Sequence, residues 1–542
     1  MSRMWKKIQG VNGLILGVYL LIVAAVSLYY ALAGVSGLSG KIKLALMALG
    51  CLIAILAAPF IIRGIQKIPP RVLEPTAMSR KKRIGFLCGV WIVSFLVLLL
   101  WYVGFYPGAI IFDTVEQLQQ ALSGSYNDWH PALHTLLTFT LPLTLTNGWT
   151  GSIVFFQILF FATVLSYLYA VLSKLVNHKI VLGIILFILI NPITGKMSVH
   201  PLKDTSMARG GPLLLLSALQ ACSSHGEWMK SVWHKLLFAG VFVITTLVRH
   251  NAILLTLPIL VSVLLSVRNL KGNLKVLVLV LLLTLGVRGP LYSAFEVGSP
   301  GARHMETLGC PMTIIGNVVI EHPEVLDEET QEFVYAIADQ ETWETYYTCG
   351  SFNNLKRSGE ADLTVIEETD VLSILRMTAK CAIKAPSSAA QSFLTLTRMV
   401  YSLDGNSYFY EILEGPDEFG VEYAGNQTLL NALEAYCKAF YNSPLKYLFC
   451  YIGVLDLLVL VCVCGRVKFG SLDDWKRILL CVSIFTYNFG TMLFLTGRDD
   501  RFFYVTFLIT PVLAVAALVK EAPLSEAAAS APGRSAADQR SV

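Results

Sequence analysis

Apolar residues along this chain fall into long unbroken runs instead of alternating with polar ones. The runs lie near residues 11–34, 43–62, 84–106, 151–173, 180–195, 205–222, 236–249, 251–267, 276–292, 446–465, 478–497 and 502–519. About 20 apolar residues in a helix cover a hydrocarbon layer ~30 Å thick. In lipid, only helices and closed barrels satisfy their own backbone, and continuous runs select helices. A weaker run, 132–146, is short and contains Pro142; it reads as a helix lying at the outer surface or dipping into it. The pattern predicts an all-α polytopic membrane protein, a helical bundle of about twelve spans. Polar loops sit at its outer face, and a large, mostly helical outer insertion covers residues 293–445.

Composition agrees with the pattern. Of 542 residues, 55% are hydrophobic and only 15% charged, whereas a soluble globular chain carries about 25% charged residues. The net charge of +5 comes from basic loops and does not point to nucleic acid. Those loops set the expected orientation, because cytoplasmic loops collect Lys and Arg. Arg63, Lys67, Arg71 and Arg80–Arg83 crowd one loop, and no Lys or Arg follows until Lys174. Placing Lys174, Lys230, Lys235, Arg268, Lys271, Lys275, Arg466, Lys468, Lys476 and Arg477 inside puts both termini in the cytoplasm. The first run is too long for a signal-peptide core. The chain then divides into two N-terminal spans with a basic loop (1–83), a membrane core (84–292) with an outer loop (107–150), the insertion (293–445), C-terminal spans (446–519) and a polar Ala/Ser-rich tail (520–542) expected to be disordered. The insertion is acidic around Glu321–Glu332 and aromatic at Trp343, Tyr346, Tyr347, Tyr401, Tyr408, Phe409 and Tyr410. Its Cys310, Cys349, Cys381 and Cys437 would allow one or two disulfides in an oxidising compartment.

The orientation gathers candidate chemistry at the outer face. Asp113 follows the third run within a few residues, with Glu116 one helical turn on and Asp128-Trp129-His130 farther along. No Lys or Arg lies between Ile84 and Ser173, so Asp113 has no sequence-near cation; partial burial would raise its pKa and suit it to proton abstraction. A solvated loop acid or a helix cap is the plain alternative. Lys196, His200, Lys203 and Asp204 precede the run at 205–222, where charges entering the membrane are costly; an ordinary solvated loop is the alternative. Arg249 interrupts an apolar stretch and would otherwise snorkel. Arg288 sits near a span end. Arg498-Asp499-Asp500-Arg501 forms an outer turn that could simply neutralise itself. Asp113, Glu116 and Asp128 offer oxygen ligands for a divalent metal, although no spacing identifies a site. Walker loops, Gly-x-Ser-x-Gly elbows and Cys-x-x-Cys pairs do not occur.

These motifs resemble the GT-C superfamily of membrane glycosyltransferases, which includes protein O-mannosyltransferases and lipid A aminoarabinose transferases. Asp113 and His130-Pro131-Ala-Leu stand where relatives carry an acid and then a basic residue with two prolines. Asp204 matches an aspartate opening a helix, and Arg501-Phe-Phe-Tyr504 with Pro511 matches a C-terminal signature. The chain is more similar still to a bacterial family of multi-span proteins with Tyr-Pro-Gly…Asp, His-Pro and Lys-Asp signatures. It departs from the better-known relatives in having two extra early spans and an inserted outer region. The resemblance implies a bacterial plasma-membrane enzyme that moves a sugar, with inversion, from a polyprenyl-phosphate donor to a lipid, glycan or protein acceptor outside. Asp113 and Asp204 would be catalytic, and His130, Lys203, Arg249, Arg288, Arg498 and Arg501 would bind the donor phosphate. Glu116, Asp128, Trp129 and Tyr504 would contact substrate. No cofactor is implied beyond the metal option. Two rival readings remain: a flippase of lipid-linked saccharides, and a polysaccharide polymerase or ligase using lipid-diphosphate donors.

Overall fold

A computed structural model describes residues 10–267, 269–299, 304–403, 421–467 and 471–519. The regular structure of these residues is helical, without a strand among them. The chain is a polytopic all-helical membrane protein. Among the described residues seven helices are long and apolar enough to cross a membrane, or up to eight if a bent pair counts as one span. The principal helices are α1 (Val11–Ala33), α2 (Gly40–Gln66), α3 (Arg80–Gly104), α4 (Phe112–Ser123), α5 (Ser152–Leu172), α6 (His178–Ile190), α7 (Pro192–Ser198), α8 (Lys203–Ser223), α9 (Val232–Leu247), α10 (Ile253–Ser266) and α11 (Leu270–Gly286). After them come α12 (Gly309–Glu321), α13 (Glu328–Ile337), α14 (Val371–Lys384), α15 (Pro386–Thr397), α16 (Gln427–Asn442), α17 (Ile452–Arg466), α18 (Leu472–Thr491) and α19 (Tyr504–Leu518).

α8 and α19 pack against each other at the centre. α5, α9, α10, α17 and α18 surround them and share one core. α2, α3 and α11 lie outside and turn apolar faces outward; Leu277, Leu281, Leu282 and Leu285 of α11 are exposed. Contiguous exposed apolar surface of this kind needs a cover, and lipid supplies it for a membrane span.

The two ends of the bundle carry different sets of charges. At one end Arg466 donates to the Ile68 carbonyl, Arg477 donates to the carbonyls of Ala516, Ala517 and Val519, and His225 lies 3.7 Å from Asp473. Asp113, His130, Lys203, Arg249, Arg288 and Arg501 meet at the other end.

Several expectations change. The run 180–195 is not one straight helix: it bends by 65° between α6 and α7. Asn191 caps α7 through its side chain, and Pro192 takes the first helical position, where a missing N–H costs nothing. α7 is then not part of a solvated loop, because Lys196 and His200 are buried. Gly195 permits this, since any Cβ there would run into the Trp101 ring of α3. The runs 236–249 and 251–267 are two helices, as their separation implied, with extended backbone at Arg249 between them. Residues 132–145 are helical and cover Leu118 of α4 together with Ile153 of α5.

The insertion does not extend to 445 as a single unit. Residues 308–385 have their own core around Met312, Phe333, Trp343, Phe352 and Ile374. From Pro386 onward Leu396, Met399, Leu430, Cys437 and Phe440 join the central core instead. Cys310, Cys349, Cys381 and Cys437 are free thiols, so the disulfides that their number would allow are not formed among them; Cys310 and Cys437 belong to the central core and Cys381 to that of the insertion. Tyr408, Phe409 and Tyr410, Arg268, Lys468 and the tail after 519 lie outside the described residues.

Candidate functional site

Local backbone chemistry brings the first loop to the head of α8. Gly108 has φ +149°, a conformation L side chains avoid, and a Cβ there would strike Val154. The next residue, Ala109, donates its N–H to the Val199 carbonyl at 3.0 Å, which fixes the loop against the α7–α8 junction. Ile111 is extended and α4 begins at Phe112, so Asp113 lies in the first helical turn, where a carboxylate complements the helix dipole.

Asp113 is not without a cation. Arg501 donates from Nη1 to its Oδ2 at 3.1 Å, and the same guanidinium has Nε 2.8 Å from Asp499 Oδ2. Burial alone would raise the Asp113 carboxyl. The charges of Arg501, Lys203 and His130 outweigh it and hold the group well below the usual carboxylate range. The expected raised pKa is therefore reversed: its cation arrives from 388 residues away.

One turn on, Glu116 lies 3.1 Å from His130 Nε2, and Lys203 Nζ lies 3.0 Å from His130 Nδ1. An ammonium can only donate. His130 therefore accepts at Nδ1 and donates from Nε2 to Glu116. Burial pushes the His130 pKa below its ordinary 6.5, against the pull of Glu116. Below pH 6.5 the unfolded chain takes up a proton that the folded imidazole resists, so stability falls as pH drops through that region. Protonation would also set two donors, Lys203 and Nδ1–H, against each other. We expect wild-type stability to decline as pH falls below 6.5, and His130→Gln to flatten that limb in detergent-solubilised thermal unfolding. An unchanged acid limb in that variant would remove His130 from the relay.

Asp204 and Arg249 form a tight ion pair, both buried. Arg249 sits in the extended link between α9 and α10, and Asn251 beside it donates to Thr491 Oγ1 at 2.9 Å. The Phe502 ring lies 5.0 Å from the Arg249 guanidinium and 5.0 Å from that of Arg501. It thus stands between the two ion pairs and can attract both cations.

Other predicted residues are already engaged. Asp128 Oδ1 accepts from the Ala132 N–H at 2.9 Å and from Tyr292 Oη at 3.1 Å, while Arg288 Nη1 lies 3.5 Å from Oδ2. Asp128 therefore caps and ties helix ends, which leaves it poorly placed as a base. Trp129 stands beside His130, with ring centroids 6.4 Å apart. Arg498 is half-buried in the turn before α19, and Tyr504 is buried at the head of that helix. Asp113, Glu116 and Asp128 do not converge on a common point. Among the described residues no group of three or more His, Cys, Asp or Glu side chains is placed to hold a metal ion. The expected metal option has no donor set.

Gln117 and His134 had not been singled out. Gln117 Oε1 accepts from His134 Nδ1 at 2.5 Å and from Thr135 Oγ1 at 3.3 Å, and His134 Nε2 lies 3.0 Å from Ser206 Oγ. The signal that could have found His134 is its spacing of four residues from His130, although it lies inside an apolar run.

The outcome is a buried, charge-dense layer assembled from α4, the following loop, the heads of α8 and α10, and the turn before α19. It can bind an anion while presenting ionised carboxylates to a hydroxyl. No curated protein and no solved structure matches the chain. Residues 123–366, less than half of it, match the model of a family of unknown function, DUF6020.

Proposed function

We propose that this chain is a GT-C-type membrane glycosyltransferase that moves a sugar from a polyprenyl-phosphate donor to an envelope acceptor at the outer face of a bacterial plasma membrane. The observation that carries the reading is the meeting of Asp113, Arg501, Lys203, His130, Asp204 and Arg249 at one end of the bundle. An acceptor hydroxyl gives its proton to Asp113 while its oxygen bonds to the anomeric carbon. The carbon–oxygen bond to phosphate breaks, and its electron pair stays on the departing lipid phosphate. A single displacement inverts the anomeric centre. Cations placed where charge develops stabilise that departure. A carboxylate held well below its usual range is a weak base. An incoming phosphate that draws Arg501 away restores basicity to Asp113 at the moment it is needed. The test is transfer from defined polyprenyl-phosphate sugars by the purified full chain; no product with any such donor under conditions where the donor binds would end the reading.

A flippase has one observation on its side. Asp456 lies within α17, fully buried, with Asn488 donating to both its oxygens at 2.9 and 3.1 Å and Thr506 donating to Asn488 at 2.8 Å. Intramembrane carboxylates commonly serve transport. The main charge layer nevertheless lies at one end of the bundle and not at mid-depth, which supports an enzyme. Flux of a labelled lipid-linked saccharide across liposomes, in the absence of transfer, would favour the flippase.

The same reading places Asp113, Lys203 and residues 308–385 outside, with about twelve crossings and both termini inside. Phosphatase reporters fused after Ser125 and Glu360, both exposed, should be active, and those fused after Lys230 and Lys271 should be silent. An active reporter at Lys230 would invert the arrangement.

A further inference from the structure

Beneath the charge layer lies a second polar cluster that the proposed mechanism leaves unused. Arg209 is buried in α8, six residues past Lys203, which places it about 9 Å farther along the helix axis. It donates from Nε to the Thr205 carbonyl at 3.0 Å and from Nη1 to the Gln157 carbonyl of α5 at 3.2 Å. Among the described residues no carboxylate pairs with it, and its Nη2 has no hydrogen-bond partner. Thr205 Oγ1, one turn earlier on the same face, is equally buried and unpartnered, as is Gln157 Oε1. Tyr504 of α19 faces the Arg209 charge and lies against Thr194 of α7. Four helices thus converge on one guanidinium.

A buried cation without a counter-charge is expensive, and buried polar atoms without partners are rare. Here the open positions are mostly donors: a guanidinium N–H and the hydroxyls of Thr205, Thr194 and Tyr504. A donor-rich cluster around an arginine suits an anion, and a guanidinium fork matches phosphate oxygens. Arg249 and Arg501, by contrast, are already neutralised by Asp204, Asp113 and Asp499.

We propose that Arg209, with Thr205 and Tyr504, forms a buried anion seat that takes a phosphate group, a lipid phosphate before a free one. This deepens the glycosyltransferase reading, on which its lipid source rests, by giving the donor phosphate Arg209 beside Arg501 and in place of Arg249, which Asp204 already neutralises. The seat lies toward the membrane from Asp113. A prenyl tail could then remain in lipid while the sugar on the far side of the phosphate rises to the carboxylate.

The test uses the purified full-length protein in detergent with three probes: farnesyl phosphate, inorganic phosphate and farnesol. Calorimetric binding should rank farnesyl phosphate well above farnesol. Arg209→Lys keeps the charge but loses the fork, and should weaken farnesyl phosphate binding tenfold or more. Thr205→Val and Tyr504→Phe preserve shape and should each weaken it severalfold, which keeps the test decisive if Arg209→Lys does not fold. Equal binding of inorganic phosphate would support the seat and assign its occupant to the free anion. Wild-type affinity in both hydroxyl variants, or farnesol binding as tightly as its phosphate, would overturn the seat. The two proposals separate cleanly. Phosphate binding that depends on Arg209 without sugar transfer would leave the seat standing and sink the transferase, whereas transfer with an unaltered donor KM in Arg209→Lys would do the reverse.

Discussion

Asp113→Asn should fold, bind donor and lose nearly all transfer. Removing a general base typically costs about 10²–10⁴ in rate. The fold should hold because Asn keeps the side-chain volume and Arg501 retains Asp499 as a partner. The carboxylate is only partly exposed, at 27% of its side chain, so it is shielded yet reachable by an incoming hydroxyl. Its pairing also links to pH. A depressed aspartate contributes stability above its ordinary value of 3.8 and loses it as pH falls through and below that value. Wild type should therefore lose stability on acidification near pH 4, and Asp113→Asn should lose less. Steady-state turnover with a polyprenyl-phosphate sugar is the deciding measurement; near-wild-type turnover in Asp113→Asn would take Asp113 out of the chemistry.

The second large effect concerns the Asp204–Arg249 pair. Both side chains are almost completely buried, at 1% and 7% exposure. Removing one partner leaves the other charge stranded, which costs about 3–5 kcal/mol in comparable sites. Arg249→Ala should consequently lower the unfolding midpoint markedly, and Asp204→Ala should do the same. The double variant Asp204→Asn, Arg249→Met should recover much of the loss, because no lone charge remains. The sequence suggested a different result, a folded Arg249→Ala protein with weakened donor binding. A wild-type midpoint for Arg249→Ala together with a tenfold loss of donor affinity would restore that earlier role and refute the structural one.

Particular residues show what could be read from the sequence. Lys and Arg asymmetry assigned Asp113, His130, Lys203, Arg249, Arg288 and Arg501 to one end, and they do meet there. Asymmetry reports which end a loop occupies but not who pairs with whom. Asp113 looked free of cations because none lies near it in sequence, yet Arg501 reaches it across nearly the whole chain. The bend at Asn191-Pro192 carried a legible signal, a side-chain cap followed by proline, which the surrounding apolar run masked. The boundary at Pro386 was harder to see. α16 is amphipathic and polar on one face, so it read as part of a soluble insertion, although its apolar face completes the membrane core. Arg209 was passed over because it lies inside an apolar run, where only three-dimensional packing reveals that no acid accompanies it.

The attachment of residues 308–385 carries a consequence for how this protein can be re-engineered. Phe352 N–H donates to the Thr496 carbonyl at 2.8 Å, Gly309 rests on the Leu495–Thr496 backbone, and Gly497 lies against Ser351 and Asn353. Those contacts grip the hairpin that leads directly into Arg498–Arg501. The segment therefore cannot be excised as a detachable cassette. A chain shortened across it would keep every transmembrane helix and still lose the scaffold that aims Arg501 at Asp113. Homologous chains lacking such an insert would need another brace at the same hairpin.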